Sequence, residues 1–204
     1  MNIRKQKPLL VCLLFCLNIL LCYKVYLIDM DFLKMPCQQI KRTFIGPLEI
    51  TFEAPSFEQI AEEYPNLKPG GLFEPKFCKS TENVAIVIPY RNREQHLRAF
   101  LHHMHAILQR QLLKYQFFIV EQYGNGMFNR AMLMNIGFNE ANQLDNWDYF
   151  IFYDVDLFVE DDRAQFTCPD GPVHLAGYLD KVKLLNNTNL HLFIFSFLFI
   201  SVQL

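Results

Sequence analysis

Asp154-Val155-Asp156 places two carboxylates one residue apart, directly after the apolar run Tyr149-Phe-Ile-Phe-Tyr153. Carboxylate oxygens in that spacing suit a hard divalent cation. Such a cation can bridge the phosphates of a nucleotide sugar and neutralise a leaving diphosphate. The competing reading is two solvated carboxylates at a strand exit. Pro89-Tyr90-Arg91-Asn92-Arg93 also follows an apolar run and carries two guanidinium forks. Arginine binds phosphate oxygens bidentately. Tyr90 could stack on a base or fill space beneath it. Against this stands a bland alternative, in which the arginines open a helix and pair with Glu94. Phe128-Asn129-Arg130-Ala131 is the third segment. Asn129 suits a helix N-cap, and Arg130 in a first turn opposes the helix dipole, a placement that points to function. His102 and His105 have metal-ligand spacing, but no carboxylate or cysteine supports them on that face, so an exposed polar face is expected. With no G-x-G-x-x-G and no G-K-[ST] loop, dinucleotide and P-loop sites are excluded.

The elements around these residues supply a reason for their placement. Val84-Ala-Ile-Val-Ile88 reads as a strand buried on both faces. A helix follows over about 94–113, with Leu97, Phe100, Leu101, Met104, Ile107, Leu108 and Leu112 at three-and-four spacing. Phe117-Phe-Ile-Val120 predicts a second buried strand. A second helix spans about 129–142 with Ala131, Met134, Phe138 and Ala141 on one stripe, and a third strand covers 149–153. The order β-α-β-α-β implies an α/β, Rossmann-like, mostly parallel sheet with flanking helices. Ligands of such sheets bind beyond the carboxyl ends of the strands. Interest therefore falls on 89–93, 121–130 and 154–156.

The remaining chain frames this unit. Of 204 residues, 19 are Lys or Arg and 21 Asp or Glu, a net charge of −2 that gives no reason to expect nucleic acid. Residues 1–7 carry Arg4, Lys5 and Lys7, and 8–28 are apolar except for Asn18 and Tyr23-Lys24. A bilayer-crossing helix needs about 20 apolar residues, and positive charge stays cytosolic. The expectation is a signal-anchor over 8–28, a cytoplasmic tail over 1–7 and a lumenal remainder. A cleaved signal peptide competes, but Leu21-Cys-Tyr-Lys-Val-Tyr26 offers a poor cleavage site. Residues 29–36 form a short stem. From 37 to 83 turn formers dominate, with a short strand expected at 48–52 and a short helix at 57–63. Cys37, Cys78 and Cys168 would lie in an oxidising compartment, an odd number for pairing.

Taken together, Val84-Ala-Ile-Val-Ile-Pro-Tyr-Arg-Asn-Arg93, Phe128-Asn-Arg-Ala131 and Tyr153-Asp-Val-Asp-Leu157 resemble the β-1,4-galactosyltransferase family. Gly46-Pro-Leu48, Pro69-Gly-Gly71, Leu108-Gln-Arg-Gln111 and Asn135-Ile-Gly-Phe-Asn-Glu-Ala141 extend the likeness over about 37–181. The resemblance implies a GT-A fold, a single-pass type II Golgi membrane protein and inverting transfer. The donor would be UDP-galactose, with N-acetylgalactosamine used by close relatives. The acceptor would be a terminal N-acetylglucosamine or glucose of a glycoprotein or glycolipid, and the cofactor Mn²⁺. Carried over, Pro89, Tyr90, Arg91, Asn92, Arg93, Phe128, Asn129, Arg130, Val155 and Asp156 bind the donor, and Asp156 ligates the metal. Cys37 and Cys78 match a family disulfide.

The departures set further expectations. Tyr149 stands where some members pair a cysteine with Cys168, and Pro-Arg-His reads Pro172-Val-His174. After Asp180-Lys181 the likeness ends. The family's Phe-Gly-Gly-Val-Ser segment, its Trp-Gly-Trp-Gly-Gly-Glu-Asp-Asp-Asp segment and a metal-binding histidine do not follow. The expectation is a donor-binding half over 84–181, without the family's catalytic base, and an apolar tail over 182–204. Asn186-Asn187-Thr188 is a glycosylation sequon at Asn186. Two functions remain open: a galactosyltransferase, and a non-catalytic Golgi membrane protein that retains UDP-sugar binding or pairs with a full-length relative.

Overall fold

A computed structural model describes residues 7–32, 34–51, 54–166 and 199–201. Helix α1 runs Lys7–Phe32, α2 Phe57–Glu63, β1 Asn83–Tyr90, α3 Glu94–Arg110, β2 Lys114–Glu121, α4 Arg130–Leu144, β3 Tyr149–Phe152 and β4 Phe199–Ser201. The four strands form one sheet in the order β2-β1-β3-β4. Strand β1 lies parallel to both β2 and β3, while β4 is antiparallel to β3 with Phe199 opposite Ile151.

Alternation along β1 divides the core between two helices. Val84, Ile86 and Ile88 face Leu97, Phe100, Met104, Ile107 and Leu108 of α3. Ala85 and Val87 face the other way, toward Ala141, Met134 and Phe138 of α4. The sheet is thus covered on both faces, which explains why β1 is apolar without interruption. Gly137 lets α4 sit close: a Cβ there would fall 2.3 Å from Val87 Cγ1. The buried face of α4 is centred on Leu133, Gly137 and Ala141 at four-residue spacing. Ala131, expected on the stripe, is exposed.

Several expectations change in the folded chain. No strand forms at the described residues 48–51. Instead the Leu48 N–H donates to the Glu160 carbonyl at 2.7 Å, and Pro47 pairs with Asp161 as an isolated bridge. Helix α3 stops at Arg110, and Leu112 takes the left-handed conformation with φ 57°. That turn delivers Leu113 into the core and starts β2 three residues before the apolar run. Tyr115 is the reason: it is buried, and its backbone pairs with Phe73. Among the expectations that hold, α2 spans 57–63, with Ser56 and Gln59 closing a capping box. The Cys37–Cys78 disulfide closes a 41-residue separation. In the chain-entropy model such a loop contributes roughly 4 kcal/mol.

Helix α1 has 26 residues, about 39 Å at 1.5 Å per residue. Its side chains are described over 13–25, where Leu13, Phe15, Leu17, Leu20 and Leu21 are all exposed. Among the described residues, no helix is long and apolar enough to cross a membrane. Asn186, Cys168, His174 and Lys181 lie outside the described residues.

The expected exposed histidine face also needs correction, because His105 is buried and its Nδ1 lies 2.7 Å from the Tyr115 hydroxyl. Burial, with a smaller contribution from His102, pushes its pKa down to about 4. The folded value lies below the unfolded value of about 6.5. The folded state therefore binds fewer protons, and stability present above pH 6.5 is lost as pH falls toward 4. A loss of about 2 kcal/mol is expected between pH 7 and pH 5. Urea unfolding of the wild type and of His105→Gln checks this. Equal slopes of stability against pH for the two would refute it.

Candidate functional site

Three strand exits are held side by side. The Gln122 N–H, just past β2, donates to the Tyr90 carbonyl at the end of β1 at 2.9 Å. The Tyr153 N–H, just past β3, donates to the Val87 carbonyl at 2.9 Å. Above these exits opens a cavity of about 310 Å³ lined by Pro89, Arg91, Arg93, Phe128, Asp154, Val155 and Asp156. All three segments singled out by residue type therefore reach one place, at the carboxyl ends of the parallel strands.

Each aspartate of the Asp154-Val155-Asp156 turn faces an arginine. Arg93 Nη1 lies 2.8 Å from Asp156 Oδ2, and Arg130 Nε lies 2.8 Å from Asp154 Oδ1. The bland pairing of Arg93 with Glu94 does not occur; Glu94 lies 3.4 Å from Arg98. Burial raises the Asp154 carboxyl above its usual range, the Arg130 cation opposes this, and the neighbouring Asp156 adds to it. Ion pairs at such partly exposed positions contribute roughly 0–1 kcal/mol. A phosphate or a cation can therefore displace them. Arg91 is held differently: its Nη1 donates to the Gly126 carbonyl at 2.6 Å and its guanidinium lies 5.3 Å from the centre of the Phe128 ring.

The remaining expected residues take distinct places. Tyr90, the last residue of β1, is partly buried and packs against the α3 side of the core. Asn92 adopts φ 51° and lines a second cavity of about 360 Å³ with Arg91, Glu121 and Gln122. Asn129 caps α4, its side chain accepting from the Met132 N–H at 3.0 Å. Arg130, the first residue of α4, stands against the helix dipole because Asp154 holds it.

Asp154 and Asp156 are the carboxylates that could hold a cation. Among the described residues, no group of three or more His, Cys, Asp or Glu side chains could do so. The donor set fits a cation that keeps waters and takes phosphate oxygens from a substrate, not one enclosed by protein alone.

Residues 37–169 match the model of the N-terminal region of glycosyl transferase group 7. The chain belongs to the glycosyl transferase group 7 family. It is 42% identical over 147 residues to β-1,4-galactosyltransferase 3 of Cricetulus griseus, covering 71% of this chain and 37% of that protein. To β-1,4-galactosyltransferase 1 of Mus musculus it is 45% identical over 148 residues, again covering 71% of this chain and 37% of that protein. The chain thus spans 37% of the length of these curated relatives. A solved structure of Drosophila β-1,4-galactosyltransferase 7, a mutant in complex with manganese, UDP-Gal and xylobiose, aligns with TM-score 0.47 and 29% identity. That alignment covers 59% of this chain and 49% of that one.

In this group 7 chain, residue type alone did not single out two residues that the geometry makes prominent. Gln122 joins the exits of β1 and β2, and its place directly after a strand was its only signal. Asp162, fully buried, accepts from the Ile45 and Gly46 N–H groups and lies 3.1 Å from Arg110 Nε. No spacing in the sequence marks it. Tyr149 is buried and donates its hydroxyl proton to the Phe166 carbonyl. That hydrogen bond ties β3 to the chain at Phe166.

Proposed function

We propose that this chain binds UDP-galactose together with Mn²⁺ and serves galactosyl transfer to a terminal N-acetylglucosamine or glucose of a glycoprotein or glycolipid. The observation that carries this is the convergence of Arg91, Arg93, Arg130, Asp154 and Asp156 on the exits of three parallel-packed strands. In this reading the arginines take diphosphate oxygens, which they grip bidentately. Phe128 offers its half-exposed ring to the uracil, and Asp156 holds the cation. The cation, when bound, neutralises charge on the departing diphosphate. The bond from the sugar's anomeric carbon to UDP breaks with its electron pair departing on the diphosphate, a bond to the acceptor's 4-hydroxyl oxygen forms, and the hydroxyl proton passes to a general base on the acceptor side. The described residues supply the donor side of this reaction.

The proposed setting is the Golgi lumen, with residues 8–28 as a type II signal-anchor. Arg4, Lys5 and Lys7 precede the apolar stretch 8–28, Asp29 and Asp31 follow it, and apolar side chains are exposed along its described part. The Cys37–Cys78 disulfide suits an oxidising compartment.

Calorimetric titration of the purified full chain in detergent with UDP, with and without MnCl₂, tests the donor reading. Binding is expected only with Mn²⁺, and Asp156→Asn should weaken it roughly tenfold or more. Flat heats, or binding indifferent to metal, would overturn the reading. Metal-dependent binding without transfer to a saccharide acceptor supports the non-catalytic alternative, a UDP-sugar-binding Golgi protein.

A further inference from the structure

The stretch between β2 and α4, residues 122–129, carries Phe128 into the wall of the donor cavity, while its first residues, 122–125, line the second cavity. This loop is exposed: Tyr123 and Met127 are almost fully open to solvent. Apolar packing does not hold it, so its shape must come from polar contacts. Gln122 makes three of them. Its backbone N–H donates to the Tyr90 carbonyl at 2.9 Å, its side-chain Nε2 donates to the Met127 carbonyl at 2.9 Å, and its Oε1 accepts from the Asn129 N–H at 2.7 Å. Both ends of the amide are used, and the two bonds lie across the base of the loop. The Arg91 guanidinium binds the Gly126 carbonyl from the cavity side.

We propose that Gln122 is a positioning residue for the donor site. Its amide clasps the loop shut, and so presets Phe128, the Asn129 cap and Arg130 before any ligand arrives. The inference rests on the donor reading above and adds a residue that touches neither donor nor metal in that reading. Its physical basis is preorganisation: a loop already in its bound shape avoids the ordering cost on binding. Only a side chain with one donor and one acceptor at this length satisfies both contacts. Glutamate keeps the acceptor for the Asn129 N–H and loses the donor for Met127. Leucine keeps neither.

Three measurements on the full chain in detergent test this: UDP affinity with Mn²⁺, thermal unfolding, and amide hydrogen exchange over 122–130. Gln122→Leu is expected to weaken UDP binding roughly tenfold, to speed exchange at Asn129 and to leave the unfolding temperature unchanged, because the contacts are exposed. Gln122→Glu should recover part of both the affinity and the exchange protection. If the wild type binds UDP and Gln122→Leu binds it equally well with unchanged exchange, the clasp is refuted and the donor reading stands. A fall in unfolding temperature that accounts for the lost affinity makes Gln122 a structural residue and refutes positioning. Absence of metal-dependent UDP binding in the wild type overturns the donor reading, and the clasp's role falls with it.

Discussion

Asp162→Ala is expected to destabilise the chain by roughly 4 kcal/mol. The carboxylate is fully buried. It accepts from the Ile45 N–H at 2.9 Å and the Gly46 N–H at 2.9 Å, and faces Arg110 Nε at 3.1 Å. Alanine would strand two backbone donors and leave the arginine without its counter-charge. Each lost hydrogen bond to a charged group costs about 1.5–3 kcal/mol. Arg110 keeps about a third of its side chain in solvent, so its share falls at the low end of the range for a broken buried pair. Gly46, at φ +93°, would release its left-handed turn, and the pairing of Pro47 with Asp161 would go with it. For a chain of this size the loss corresponds to a fall in unfolding temperature of roughly 8–16 °C. Asp162→Asn keeps one acceptor oxygen and should lose about half as much. Differential scanning calorimetry of the three proteins decides the matter, and a shift for Asp162→Ala within about 2 °C would show that water replaces the carboxylate.

Gly137→Ala is the second large effect. Helix propensity alone favours alanine over glycine by about 1 kcal/mol. Geometry opposes it: the new Cβ would lie 2.3 Å from Val87 Cγ1 and 2.7 Å from Val120 Cγ2. Both valines stand on strands, and Val87 is completely buried and stiff at χ1. Overpacking of this kind costs about 1–3 kcal/mol and sometimes more, so the clash outweighs the propensity. A net loss of roughly 2 kcal/mol is expected. The disturbance would reach the site, because the Val87 carbonyl receives the Tyr153 N–H directly before Asp154. Val87→Ala in the Gly137→Ala background removes the obstructing methyls and should restore part of the stability. A double-mutant cycle by urea unfolding measures this coupling, and strict additivity would contradict close helix–sheet contact.

Periodicity carried much of the fold. Leu97, Phe100, Met104, Ile107 and Leu108 of the expected α3 stripe are buried, though Leu112 lies beyond the helix, and the unbroken apolar run of β1 is covered on both sides as parallel strands require. The convergence of the three polar segments also followed from order alone, since parallel strands send their carboxyl ends to one edge. Boundaries were less legible. Tyr115 extends β2 backward through a pairing with Phe73, 42 residues earlier, which no local pattern can announce. His105 looked polar by type but was drawn inside by a tyrosine hydroxyl.

By itself, then, the amino-acid order determined the β-α-β-α-β unit, the edge on which chemistry gathers, and the types of group brought there. These depend on local spacing, and local spacing is written in the chain. Only the tertiary structure decided that Arg93 meets Asp156 and Arg130 meets Asp154, that Tyr90 packs against the edge of the core, that Gln122 clasps its loop, and that Asp162 anchors a segment more than a hundred residues away. Those choices depend on distances between strands and loops that are remote in sequence. They are set by helices packing onto the sheet at fixed depth, as at Gly137, and by buried polar groups that must find partners wherever the fold places them.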